Sequence, residues 1–161
     1  MLLSQSFIDE LKMLRTHELK NSITYKSLAH QLHSEGLFNL ASYMYEWQAH
    51  ENDHMMRVTE FLESMDIQVP FESIPETKLI DDITKFYEVI LDAETTTTKL
   101  WEKALEKAYE EEFSGTASEM AKWFVNEQIE EMGKTNDLIS QVKPFTGNLA
   151  LLHLFDQNFS G

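Results

Sequence analysis

Apolar residues return every three or four positions through four long stretches of this chain, a period that fits amphipathic helices and not strands. The first stretch, about Ser4 to His33, carries Phe7, Leu11, Leu14, Glu18, Asn21, Tyr25, Leu28 and Leu32 on one stripe. The second, about Leu37 to Met65, carries Leu40, Met44, Trp47, Glu51, His54, Val58 and Phe61. The third, about Leu79 to Tyr109, carries Ile80, Ile83, Tyr87, Ile90, Glu94, Thr97, Trp101, Ala104 and Ala108. The fourth, about Ala117 to Lys143, is less regular, with Met120, Phe124, Glu127, Glu131, Leu138 and Val142. With five Gly and three Pro in 161 residues, little interrupts these helices.

The connections set the topology. The short link His33-Ser34-Glu35-Gly36 makes helices one and two an antiparallel hairpin, and Glu110 to Gly115 does the same for three and four. Thr116 and Glu119 have the spacing of a capping box opening the fourth helix. Between helices two and three lies Asp66 to Lys78, with Pro70 and Pro75 and no helical period. A second helix of about 28 residues is about 42 Å long, and some 13 extended residues reach about 43–47 Å. The linker therefore runs back along the bundle, giving an all-α, up-down-down-up four-helix bundle with one long crossover. Residues 1–145 form that bundle and 146–161 a short apolar fifth helix and tail, expected to make a subunit contact; the whole chain reads as one domain.

Several function classes fall away on composition. Lys+Arg minus Asp+Glu is 13 − 28 = −15, which argues against a nucleic-acid partner. There is no Cys, hence no disulfide and no thiolate metal site. No cationic leader precedes Asp9 and Glu10, and no long apolar run is present, so a soluble cytoplasmic protein without a membrane partner is expected.

The anomaly lies in the stripes themselves. Near the middle of each helix, hydrophobes give way to Glu18, to Glu51 with His54, to Glu94, and to Glu127 with Glu131. The middles of four antiparallel helices share one level, so these side chains converge, and unpaired buried carboxylates cost several kcal/mol each. No Lys or Arg stands on the first three stripes near that level. Four carboxylates and one imidazole suit Fe²⁺ or Mn²⁺, and two divalent ions balance Glu18, Glu51, Glu94 and Glu131. A lone Glu-x-x-His is common by chance, and His54 alone reads equally as a core histidine; recurrence on four helices favours metal. Tyr87, Trp47, Trp101 and Tyr25 read as core, Gly133 as a point of close approach or a bulge, and the Thr95–Thr98 run has no evident role.

The segments His17-Glu18-Leu19, Glu51-Asn52-Asp53-His54, Asp92-Ala93-Glu94 and Trp123 to Glu131, with 33 positions from Glu18 to Glu51 and 40 from His54 to Glu94, resemble bacterial non-haem ferritins over essentially the whole chain. Inward-facing ligands of this kind are the recognised pattern of ferritin-like bundles. The resemblance implies a ferritin-like fold and a di-iron ferroxidase centre: Glu18 and His54 on a first iron, Glu51 bridging, and Glu94 with Glu131 on a second. It places Gln128 on the oxygen-binding side, Tyr25 and Trp123 beside the centre, and Glu127, Glu130 and Glu131 around a third iron. His50 stands where such proteins commonly have Glu, which alters that third ligand set. Haem is not expected, because Asn52 stands at the axial-Met position and the fourth helix reads Glu127-x-x-Glu130.

The resemblance further implies iron storage in a homo-oligomeric cage of about 24 subunits, with Fe²⁺ oxidised by O₂ or H₂O₂ and stored as ferric mineral. Two rivals remain at this level: a di-iron oxygenase or peroxidase acting on another substrate, and a bundle that assembles without catalysis.

Overall fold

The computed structural model describes residues 2–161, and among them are helices and no strand. The helix α1 spans Gln5–Ser34, α2 Phe38–Ser64, α3 Phe86–Tyr109, α4 Ser114–Val142 and α5 Leu149–Asn158. Single 3₁₀ turns, Ile83–Lys85 and Lys143–Phe145, precede α3 and follow α4. The residues between α2 and α3 form the expected long crossover in a ferritin-like four-helix arrangement. No described helix is long and apolar enough to cross a membrane.

Helix ends explain where elements stop. The Ser4 side chain accepts from the Phe7 N–H and opens α1. At the other end Gly36 has φ +78°, and the Leu37 N–H reaches back to the Leu32 carbonyl at 3.0 Å. This left-handed turn is the Schellman closure that glycine favours. A Cβ at Gly36 would stand 3.2 Å from His153 of α5, so the tight turn also lets α5 approach.

Three local expectations need correction. Helix α3 does not begin at Leu79. Gln31 brackets Ile80, donating to its carbonyl and accepting from its N–H, and Asp82 then caps the 3₁₀ turn through the Thr84 N–H. The apolar period runs on through Leu79 and Ile80, but the Ile80 backbone is engaged elsewhere. Helix α4 opens at Ser114, two residues before the expected capping box, with no side-chain cap bond. Gly133 meets nothing within 4 Å at its Cβ position, so it marks no close approach.

The fifth helix packs over one end of its own bundle. Leu152 is fully buried, and the Asp156 side chain accepts from the Leu40 N–H at 2.7 Å. Its other face leaves Leu149, Leu151 and Leu154 exposed.

The core is divided in two. One apolar block gathers Phe7, Leu11, Leu14, Val58, Leu62, Trp101, Met120 and Phe124. The other gathers Tyr25, Leu28, Leu32, Leu40, Met44, Phe86, Ile90, Leu138 and Val142. On every one of the four long helices the sequence passes from one block to the other through an acidic residue. That polar level positions the site.

Candidate metal centre

Each of the four helices delivers its acid from mid-length, where apolar packing on both sides fixes the backbone. Glu18, Glu51, Glu94 and Glu131 are buried to within 1% of full burial, and His54 is 4% exposed. His54 Nδ1 lies 3.7 Å from Glu18 Oε2 and 3.5 Å from Glu51 Oε2. On its other edge, His54 Nε2 lies 3.6 Å from Glu127 Oε1. Two groups thus offer ligand atoms within 4.8 Å of one another: Glu18, Glu51 and His54, and then His54, Glu127 and Glu131.

The hydrogen bonding around these acids is unequal. No partner reaches Glu18 Oε2, either oxygen of Glu51, His54 Nδ1 or Glu131 Oε1, although all five atoms are sealed from solvent. Buried polar atoms are nearly always partnered, so orphans gathered at one level mark a place suited to a bound cation. An oxygen-rich donor set with one imidazole fits a hard or borderline divalent cation, and the residues present therefore fit iron. Glu94 is different: Tyr25 donates to its Oε1 at 2.6 Å and Gln128 to its Oε2 at 2.9 Å.

Electrostatics follow from that crowding. Burial drives the Glu51 carboxyl well above its ordinary range, and the Glu18 charge drives it further. Burial also raises Glu94, against the opposing bonds from Tyr25 and Gln128. For Glu18 burial acts upward too, but Glu51, His54 and the Trp101 indole reverse it and bring it to about 2. Burial pulls His54 down, yet Glu18 holds it above its usual value. Crowding at this level therefore favours the protonated form of Glu51 and the cationic form of His54.

Among the described residues no Lys or Arg pairs with the acids of this level. Arg15 is buried, but it donates to the Val69 carbonyl at 2.8 Å and lies 3.8 Å over the Phe71 ring, so it braces the crossover. Lys134 is exposed, in a cleft of about 280 Å³ shared with Glu46, His50 and Glu131.

A sequence model of the ferritin-like domain matches residues 8–144. The chain belongs to the ferritin-like domain family. Its structure is similar to that of an open-pore ferritin from the hyperthermophilic archaeon Archaeoglobus fulgidus, with TM-score 0.88, 22% identity, and 98% of this chain and 97% of that one covered. It is similarly close to a closed form of the A. fulgidus ferritin engineered by site-directed mutagenesis, at TM-score 0.88 and 22% identity, covering 98% and 96%. A humanized archaeal ferritin gives TM-score 0.88 at 20% identity, covering 98% and 95%. No curated protein matches the chain.

Within this ferritin-like bundle, Glu18, Glu51, His54, Glu127 and Glu131 fall into the two candidate ligand groups. Glu94 and Gln128 are buried and bonded to each other beside them. Glu130 is exposed and joins neither group among the described residues, and His50 instead brings Nδ1 to 3.6 Å from Glu131 Oε1. Trp123 stands edge-on to His54 at 5.8 Å, its face covered by Arg57 at 3.7 Å.

Sequence reading missed a layer of donors. Trp101, read as core, donates its indole N–H to Glu18 Oε1 at 2.8 Å. The threonine run has a role too. Thr98 donates to the Glu94 carbonyl and accepts from Gln128 at 3.2 Å, while Thr97 accepts from Asn21 at 2.8 Å and lies 2.7 Å from His17. In a helix, β-branched side chains stiffen χ1, and here that aims hydroxyls at the backbone behind Glu94. The available signal was threonine on the buried stripe directly after an anomalous acid.

Proposed function

We propose that this protein is a cytoplasmic iron-storage ferritin that oxidises Fe²⁺ at a paired intrasubunit site and stores the ferric product inside a closed homo-oligomeric shell of about 24 copies. The observation that carries the reading is the set of five orphaned donor atoms, from Glu18, Glu51, His54 and Glu131, facing one sealed level of a ferritin-like bundle.

Iron is substrate and cargo here. Glu18 and His54 take the first Fe²⁺, Glu51 bridges, and Glu94 with Glu131 takes the second once Glu94 exchanges a hydrogen-bond donor for the metal. Each Fe²⁺ gives up one electron, and O₂ accepts two with two protons to form H₂O₂. The metal charge then exceeds that of the four carboxylates, so the product needs further anionic oxygen ligands and is poorly held, which favours movement inward. Glu127 and Glu131, with His50 close by, offer a further holding position on that route. Gln128 and Tyr25 hold Glu94 until metal arrives.

An organic-substrate oxygenase needs an open apolar pocket beside the metals. The Trp101 and Phe124 rings, stacked at 3.8 Å, occupy the space beside Glu18 and His54, which disfavours that rival. The deciding measurement is particle mass before and after aerobic loading with Fe²⁺. Cage-sized particles taking up many irons per subunit support the reading; small particles taking up two point to the oxygenase, and no stoichiometric uptake points to an inert bundle.

A further inference from the structure

We propose that Trp101 is a positioning residue that restricts Glu18 to a single metal-binding oxygen. This rests on the metal reading above and specifies how one ligand of that site is set.

The indole is fully buried, and a buried indole N–H needs an acceptor. It takes Glu18 Oε1 at 2.8 Å, across two helices and 83 positions of chain. The indole cannot easily turn away, because its ring lies on Phe124 with centroids 3.8 Å apart and planes within 1° of parallel. Phe124 in turn stands edge-on to His54 at 5.6 Å. One rigid aromatic pair from α3 and α4 therefore orients ligands carried by α1 and α2.

The consequence lies in the oxygens that remain. Glu51 has both free, Glu94 has both held, and Glu18 has Oε1 held and Oε2 free, the latter facing His54 Nδ1 at 3.7 Å. A carboxylate with two free oxygens can grip a cation through both; one whose Oε1 already gives a lone pair to an N–H is biased to bind through the other. With Trp101 in place Glu18 would supply one oxygen to the first cation and leave room for a further ligand. Outer hydrogen-bond partners of metal ligands typically change affinity about 10–100-fold when removed.

The test uses Co²⁺, whose visible absorption reports coordination number, on the whole protein. Trp101→Phe removes the N–H, and 3-benzothienylalanine at position 101 replaces it by sulfur with the ring shape retained, which guards against a folding defect. The expected result in both variants is a Co²⁺ band that is shifted and lowered in absorptivity as Glu18 binds through both oxygens, with the affinity for the first Co²⁺ changed about tenfold. A Co²⁺ spectrum and affinity equal to the unmodified protein's in the sulfur variant, with only thermal stability moved, overturns the proposal. If the unmodified protein binds no stoichiometric Co²⁺, the metal reading itself falls and this inference with it.

Discussion

The Asp156 carboxylate, on α5, accepts a 2.7 Å hydrogen bond from the backbone N–H of Leu40 in the first turn of α2, 116 positions earlier. That helix has no capping side chain of its own, since Leu37 occupies the N-cap position. A negative charge at a helix N-terminus meets unpaired N–H groups and the positive end of the helix dipole. The fifth helix is thereby tied to its own bundle, and Asn39 strengthens the tie by donating to the Asp156 carbonyl at 2.8 Å.

Replacing Asp156 by Ala is expected to destabilise the fold by about 1–2 kcal/mol in denaturant titration, the scale of a lost helix cap. Asp156→Asn keeps an accepting oxygen and is expected to lose much less. Equal losses from both substitutions would assign the contribution to α5 packing in place of the cap.

The sequence carries the long helices plainly because their stripes are unbroken over many turns, and the acid level is visible as the one place where all four stripes fail together. Less visible is anything set by direction in space. Leu79 and Ile80 continue the period of α3, yet Gln31 holds the Ile80 backbone outside the helix. Glu130 lies between Glu127 and Glu131 in sequence but on the solvent side, because positions four apart share a face more closely. Trp101 looks like any core tryptophan, since neither its period nor its size reveals where the N–H points. Asp156 sits in a tail too short and apolar to advertise a cap for a helix more than a hundred residues away.

Glu51→Ala and His54→Ala each remove a member of the first ligand group without removing helix-forming potential. Each is expected to abolish the fast phase of aerobic Fe²⁺ oxidation followed by absorbance in stopped flow, while particle mass by size exclusion stays that of the parent. An initial rate matching the parent's in either variant removes the proposed site.

Tyr25→Phe takes away one of the two donors that hold Glu94, leaving Oε1 buried and unpaired. In metal-free protein that is expected to cost about 1–3 kcal/mol. Saturating Zn²⁺, a redox-inert stand-in for the substrate, should recover most of the difference, because the same oxygen then binds a cation. Calorimetric melts of both proteins with and without Zn²⁺ check this, and a penalty unchanged by metal would place Glu94 outside the metal shell.

Stability of the metal-free protein should fall as pH rises, opposite to the usual behaviour of paired acids. Glu51 and Glu94 have folded-state affinities for protons raised above the ordinary value of 4.5, and His54 is raised above 6.5. In each case the folded chain holds a proton that the unfolded chain releases more readily, so the contribution is complete below the unfolded value and is lost as pH climbs through the folded one. Glu18, lowered to about 2, acts the other way, but its contribution is already complete above about pH 4.5 and fades only in stronger acid. Burial lowers His17, so it also acts the other way, but between about pH 5 and about pH 8 it is one group against three raised ones, which govern the slope. A divalent cation displaces their protons, so its binding strengthens over the same range. The expected outcome is a metal-free melting temperature that declines from about pH 5 to about pH 8, with a Zn²⁺-induced increase that is larger at the upper end. A metal-free melting temperature that climbs with pH across that window would show that the buried acids are ionised and compensated by something other than protons.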